Sequence, residues 1–172
     1  MAYNTYANRG AILEDLITYA SEQYKRAGMA VINKVPTPVT VLKSGKGFFK
    51  GKSTVDYTGT LKGGQFVCFE AKETKQTSSF PLKNIHQHQI EYMRDVEYMG
   101  GLAFLIVRFI NFKGQGERFF RLNFNDLIER WEYSLANGGK RGAASVPAEA
   151  FKTEIRGECG YALHYLKGIV EE

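Results

Sequence analysis

Ser53-Thr54-Val55-Asp56-Tyr57-Thr58-Gly59, the turn Leu61-Lys62-Gly63-Gly64, and the return Gln65-Phe66-Val67-Cys68-Phe69-Glu70-Ala71-Lys72 decide how this chain is built. β-Branched and aromatic residues on either side of a Gly-Gly turn read as two strands of a hairpin. Glu70 and Lys72 are two apart on the returning strand, so they point to one face. The outgoing strand can bring Asp56 beside them. Acids and lysines on a strand ordinarily make a solvated face with a weak ion pair. Here they interrupt the largely apolar run Phe66-Val67-Cys68-Phe69, where charge needs a reason.

Upstream, residues 10–27 have the helical spacing of Ile12, Leu13, Leu16, Ile17, Ala20 and Tyr24. Asn8 is a candidate N-cap and Gly28 a candidate stop. Ala30-Val31-Ile32 reads as a short strand that Pro36 and Pro38 end. Residues 39–52 read as a protruding basic hairpin: Val39-Thr40-Val41-Leu42, then a turn, with Lys43, Lys46, Lys50 and Lys52 too costly to bury. Downstream, Glu73 to Ser79 is a polar loop, 84–99 a second helix, and Leu102 to Val107 a continuous apolar run suited to a central strand. A strand at 118–122, a helix at 125–135 with Leu127, Ile128 and Trp131 inward, a basic loop at 137–145 and a short closing helix at 161–170 complete the chain. This order predicts an α/β fold, a mixed central sheet flanked by helices.

The 172 residues suit one domain, 1–172, with a real core. Hydrophobic residues are 44% and charged residues 24%, which argues against a disordered tail or a membrane protein. No apolar run approaches the roughly 20 residues that span a bilayer. The start shows no secretory signal pattern, so a cytoplasmic protein is expected. Cys68 and Cys159 are too few for a disulfide framework and read as reduced thiols. Net charge is +5, compatible with a polyanionic partner, though placement of the charges must decide.

Two carboxylates and an ammonium on one face suit phosphodiester hydrolysis. Asp56 and Glu70 can hold a hard cation, and Mg²⁺ prefers oxygen ligands. Lys72 can orient the attacking water and offset developing charge. Glu14, in the first helix, is either a helix-surface acid or a further acid of this site. Arg9 is either a surface charge or a phosphate contact near that helix start. His86 and His88 flank Gln87 and face different sides of the helix; with only His164 and two distant cysteines besides, zinc is not expected. His88 packs near the core or contacts DNA. Phe48 and Phe49 either stack on exposed bases or pack against a partner subunit.

Five ordered segments carry a more specific signal. Asn8-Arg9-Gly10…Leu13-Glu14, Lys34-Val35-Pro36-Thr37-Pro38-Val39, Asp56-Tyr57-Thr58-Gly59, Phe69-Glu70-Ala71-Lys72-Glu73-Thr74-Lys75 and Ser79-Phe80-Pro81-Leu82…His86-Gln87-His88-Gln89-Ile90 resemble the RecU Holliday-junction resolvases of low-GC Gram-positive bacteria and their phages. The resemblance runs from about residue 6 to about 135 and weakens beyond. It implies a restriction-endonuclease-like (PD-(D/E)xK) fold, a homodimer, a stalk at 39–52 and Mg²⁺-dependent nicking of four-way DNA junctions, with Mn²⁺ able to substitute. It implies Asp56 and Glu70 as metal ligands, Lys72 as the water-orienting base, and Glu14 as a further acid acting through water. Gln89 matches the family's helix glutamine and supports the site. With it, Arg9, Lys43, Lys46, Lys50, Lys52 and Lys75 make up the expected DNA contacts, and a host recombinase is a further candidate partner. The chain departs from the pattern in a shorter stalk, a short N-terminal extension that suits a phage-encoded version, and Val55 where threonine is expected before the aspartate. Two other functions stay open on the sequence: a duplex-DNA restriction or repair nuclease of the same fold, and a non-catalytic junction-binding modulator of a recombinase.

Overall fold

The structure is a computed structural model that describes residues 11–36, 39–41, 47–49, 54–140 and 142–170, with backbone only for 39–41 and 47–49. Helix α1 (Ala11–Arg26) leads into β1 (Ala30–Lys34). The hairpin strands β2 (Val39–Val41) and β3 (Gly47–Phe49) follow, then β4 (Tyr57–Leu61) and the long β5 (Phe66–Thr74). After β6 (Ser79–Pro81) and a 3-10 turn at Leu82–Asn84 comes α2 (Gln87–Tyr98), then β7 (Leu102–Phe109), β8 (Arg118–Asn123) and α3 (Phe124–Ala136). Two short strands, β9 (Ser145–Pro147) and β10 (Thr153–Ile155), close the regular structure.

Six strands form one sheet in the order β1-β4-β5-β7-β8-β10. All neighbours are antiparallel except β5 and β7, which run parallel. A parallel pair needs a crossover, and the segment through β6 and α2 supplies it. β7 is the apolar run expected at the centre and is buried along almost its whole length. One core, with Leu13, Ile17, Tyr24, Phe69 and Phe104, lies between the sheet and α1; the other, with Cys68, Ile90, Met93, Leu105 and Leu127, lies under α2 and α3. The mixed sheet flanked by helices that the resemblance implies is the architecture found.

Register across three strands is held by aromatic rings. Tyr57 pairs with Phe69 and Phe69 with Phe104 in the ladder. Their rings stack at centroid distances of 4.9 and 4.7 Å. A slip by one residue would turn every ring to the opposite face. β1 can approach β4 because Gly59 has no side chain: a Cβ there would sit 2.1 Å from the Val31 carbonyl oxygen.

Several boundaries differ from the expectations. The second helix starts at Gln87 rather than 84, because residues 82–84 form a 3-10 turn and Ile85 is extended. The expected loop from Glu73 is strand to Thr74, since β7 offers it a parallel partner up to Phe109. The expected helix at 161–170 is absent. That segment consists of turns with isolated bridges Glu158–Tyr161 and Lys167–Val170, held by long-range bonds instead of a helical ladder. Arg121 Nη1 donates to the carbonyls of Tyr165 and Lys167, both at 2.9 Å, and Leu166 N donates to Tyr24 Oη at 3.0 Å. In α3, Leu127 is buried while Ile128 and Trp131 are only partly so. The hairpin β2–β3 is a separate two-stranded sheet with Val39 opposite Phe49, as expected of 39–52. Its tip and the lysines lie outside the described residues.

Candidate active site

Asp56 stands just before β4, and the ring ladder on β4–β5–β7 places it opposite Glu70. The Asp56 N–H donates to Glu70 Oε2 at 3.1 Å, and Asp56 Oδ2 accepts the Ala71 N–H at 3.1 Å. Lys72, on the same face of β5 as Glu70, is ion-paired with Glu70 Oε1. Gln89 Nε2 donates to that same oxygen at 2.6 Å. Sequence reasoning brought Asp56, Glu70 and Lys72 together by hairpin geometry, and the structure holds them together.

Glu70 has no solvent exposure. Burial first, then the negative charge of Asp56, pushes its carboxyl up to about 8, against the pull of Lys72. Once Glu70 is also ionised, Asp56 and Glu70 face one ammonium, Lys72, and one negative charge is left in excess. Oxygen donors with an uncompensated charge suit a hard divalent cation. Asp56 and Glu70 are the carboxylates here that could hold one. Among the described residues, no group of three or more His, Cys, Asp or Glu gathers as a metal cluster.

Gln89, expected both to support the site and among the DNA contacts, is buried on the first turn of α2. Its Oε1 accepts the His86 N–H at 2.9 Å, which fixes the amide so that Nε2 faces Glu70. Both ends of the amide are spent inside the protein, and Gln89 buttresses Glu70. The histidines differ as well. His86 precedes the helix in extended backbone, so its ring stacks on that of His88 at 5.5 Å and 13° instead of facing another side.

Glu14 lies on α1. Its Oε2 meets Lys34 Nζ at 2.6 Å, and its carbonyl oxygen is 3.5 Å from Tyr57 Oη. Lys34 was not singled out from the sequence as a site residue. β1 pairs with β4 in a register that sets Lys34 opposite Tyr57, one residue along the chain from Asp56, while Val35 N donates to the Asp56 carbonyl at 2.8 Å. The only sequence signal was its place in the Lys34-Val35-Pro36 segment. Two carboxylate–ammonium pairs result, Glu70–Lys72 across the ladder from Asp56 and Glu14–Lys34 beside Tyr57. Val55 is wholly buried in the core beneath α2, so its side chain packs where a threonine would offer a hydroxyl.

Of the expected DNA contacts, Lys75 is exposed beyond the end of β5. Arg9, Lys43, Lys46, Lys50 and Lys52 lie outside the described residues, as do the side chains of Phe48 and Phe49. Cys68 is buried beside the site, its thiol pushed up to about 12 by burial, and Cys159 is exposed; both are free thiols. No helix among the described residues is long and apolar enough to cross a membrane.

The family model of RecU, recombination protein U, matches residues 8–171. The chain belongs to the RecU family. Holliday junction resolvase RecU of Pediococcus pentosaceus is 36% identical over 170 residues, spanning 93% of this chain and 78% of that one. Its RecU counterpart from Geobacillus sp. strain WCH70 is 40% identical over 145 residues, spanning 78% of this chain and 70% of that one. The solved structure of Archaeoglobus fulgidus Hjc, a Holliday junction resolvase from an archaeal hyperthermophile, covers 81% of this chain and 88% of its own, with a TM-score of 0.41 and 14% identity. The match to RecU extends past residue 135, so the C-terminal segment that replaces the expected helix is also part of the family pattern.

Proposed function

We propose that this RecU protein is an endonuclease that resolves four-way Holliday junctions by paired nicks. The observation that carries this is the fully buried Glu70, held beside Asp56 and paired with Lys72, in a chain of that family. A buried acid with a raised pKa beside a specific charge partner is a candidate for chemistry.

A divalent cation, Mg²⁺ with Mn²⁺ as a substitute, supplies polarisation of the phosphoryl oxygen and charge neutralisation when Asp56 and Glu70 hold it. Lys72 orients the attacking water and offsets negative charge as it develops on the phosphate. Gln89 and the Asp56 N–H keep the Glu70 carboxylate in one orientation. Glu14, steadied by Lys34, joins through water from the α1 side. The backbone crossing between Asp56 and Glu70 lowers the reorganisation needed on reaction.

One subunit has one such site, and resolution needs two symmetric nicks. A two-fold homodimer matches the symmetry of a four-way junction. Arg9, Lys43, Lys46, Lys50, Lys52 and Lys75 supply phosphate contacts, so affinity comes from charge and selectivity from junction shape. The chain works as one nuclease domain in the cytoplasm.

The decisive experiment incubates purified protein with a synthetic four-way junction and with linear duplexes of the same arm sequences, with and without Mg²⁺. Symmetric paired nicks in the junction alone, and only with the metal, are expected. Equal cutting of the duplexes would reassign it as a general nuclease of this fold. Junction binding without any metal-dependent cutting would make it a binding protein.

A further inference from the structure

Beyond Thr74 the chain leaves β5, with Gln76 N donating to Thr74 Oγ1 at 3.1 Å. It then forms β6, which pairs with β9, and Leu82 N donates to the Ala144 carbonyl at 3.0 Å. These segments and the second half of α3 wall a groove of about 630 Å³. That size accommodates a nucleotide-sized ligand. Trp131, the protein's single tryptophan, lines it, half-buried with one side on the core under α2 and α3.

The lining chemistry is selective. Gln76, Ser79, Ser134 and Ser145 offer hydrogen-bonding groups, and Lys83 is the one charged residue in the lining. Gly139 on the wall sets the exposed Lys140 beside it along the chain. No carboxylate lines this groove. The clefts at Glu117 and Glu154, at Asp126 and Glu129, and at Glu22 contain acids, and the cleft at Lys62, which has none, lacks an aromatic wall. An aromatic face, hydrogen-bonding side chains and a cation without an opposing acid make the combination that holds a stacked base and its phosphate.

The groove and the active site share the chain segment that joins β5 to α2. Glu70 and Lys72 lie upstream of Gln76 on one connected segment, and Lys83 lies just upstream of Gln89, which touches Glu70.

We infer that the Trp131 groove is a second nucleic-acid site that takes an unpaired nucleotide of the DNA substrate, stacked on Trp131 with a phosphate at Lys83. Paired bases hide their faces in the stack, so the ligand is an unpaired nucleotide of the kind that arises where strands exchange. The inference rests on the DNA reading above and extends it to a site that shapes which structures are engaged. It also gives a role to the basic loop at 137–145, which the active site leaves unused.

The single tryptophan makes the test direct. Metal-free wild-type protein is titrated with a fluorescently labelled four-way junction, with a thymidine oligonucleotide, and with fully paired duplex. Anisotropy reports binding and Trp131 emission reports the groove. Emission should be quenched in step with anisotropy for the junction and the oligonucleotide, and much less by duplex. Lys83→Ala should weaken oligonucleotide binding about tenfold and reduce the quench, and Trp131→Phe should keep much of the affinity. A junction that raises anisotropy while Trp131 emission stays constant would overturn the inference, as would Lys83→Ala binding the oligonucleotide like wild type. Absence of junction binding would count against the proposed function instead, and the oligonucleotide arm would still decide the groove.

Discussion

Asp56 and Glu70 are cross-tied through the backbone: the Asp56 N–H binds the Glu70 carboxylate at 3.1 Å, while the Asp56 carboxylate binds the N–H of Ala71 at 3.1 Å. Each acid orients the other across the β4–β5 pair. A change at either is therefore read in chemistry before it is read in folding, provided that the acceptor oxygen is kept.

Asp56→Asn keeps an oxygen for the Ala71 N–H and loses the charge that holds the cation. Cleavage should fall below detection while junction binding stays within a few fold. The check is a nicking assay beside anisotropy on the same preparation. Loss of both together would point to a structural fault.

Glu70 gives a pH dependence with a definite sign. Its carboxyl is raised from an ordinary 4.5 to about 8, chiefly by burial. The native state therefore holds a proton that the unfolded chain has lost between those values. Stability from this group is complete below about pH 4.5 and is lost as pH rises through about 8. Metal-free wild type should show a melting temperature that falls across that window relative to Glu70→Gln. Parallel melting curves for the two across the window would show that Glu70 is not raised. Added Mg²⁺ should flatten the wild-type slope, since a bound cation favours the ionised form.

The Glu14–Lys34 pair is partly exposed, with side-chain exposures of 43% and 49%, so breaking it should cost little stability, about 0–1 kcal/mol. Its effect should lie in turnover. Lys34→Met should slow nicking about tenfold, or about 1.4 kcal/mol in the barrier. In a Glu14→Gln background the same change should do much less. Full additivity of the two in single-turnover rates would separate Lys34 from Glu14.

Replacing Lys43, Lys46, Lys50 and Lys52 together by alanine should weaken junction binding and flatten its salt dependence. Each phosphate contact contributes about −0.9 to the slope of log K against log salt on duplex DNA. A slope identical to wild type would show that the hairpin does not touch phosphate.

Much of the architecture was legible in the chain because it rests on short-range physics. Alternation at Phe66–Lys72, the Gly63-Gly64 turn and the apolar run 102–107 follow from strand geometry, turn conformation and burial. They place Glu70 and Lys72 on one face with Asp56 within reach of both. The segment 161–170 was not legible as it stands. Its helical pattern yields to long-range bonds from Arg121 and Tyr24, which no local spacing reveals.

What the sequence by itself determined is the chemical inventory and its approximate grouping: two acids and a lysine on a hairpin, a basic surplus, and five ordered segments of a known family. What only the tertiary structure decided is how those groups stand toward one another. Gln89 stands as a buried donor to Glu70 because His86 N–H fixes its amide. Lys34 comes to stand opposite Tyr57, one residue from Asp56, because β1 pairs with β4 in one register. Glu70 becomes a high-pKa acid because the layer of α2 closes over it. Side-chain type is a property of one residue, whereas amide orientation, strand register and desolvation are set by neighbours distant in the chain, and those exist only once the sheet is assembled.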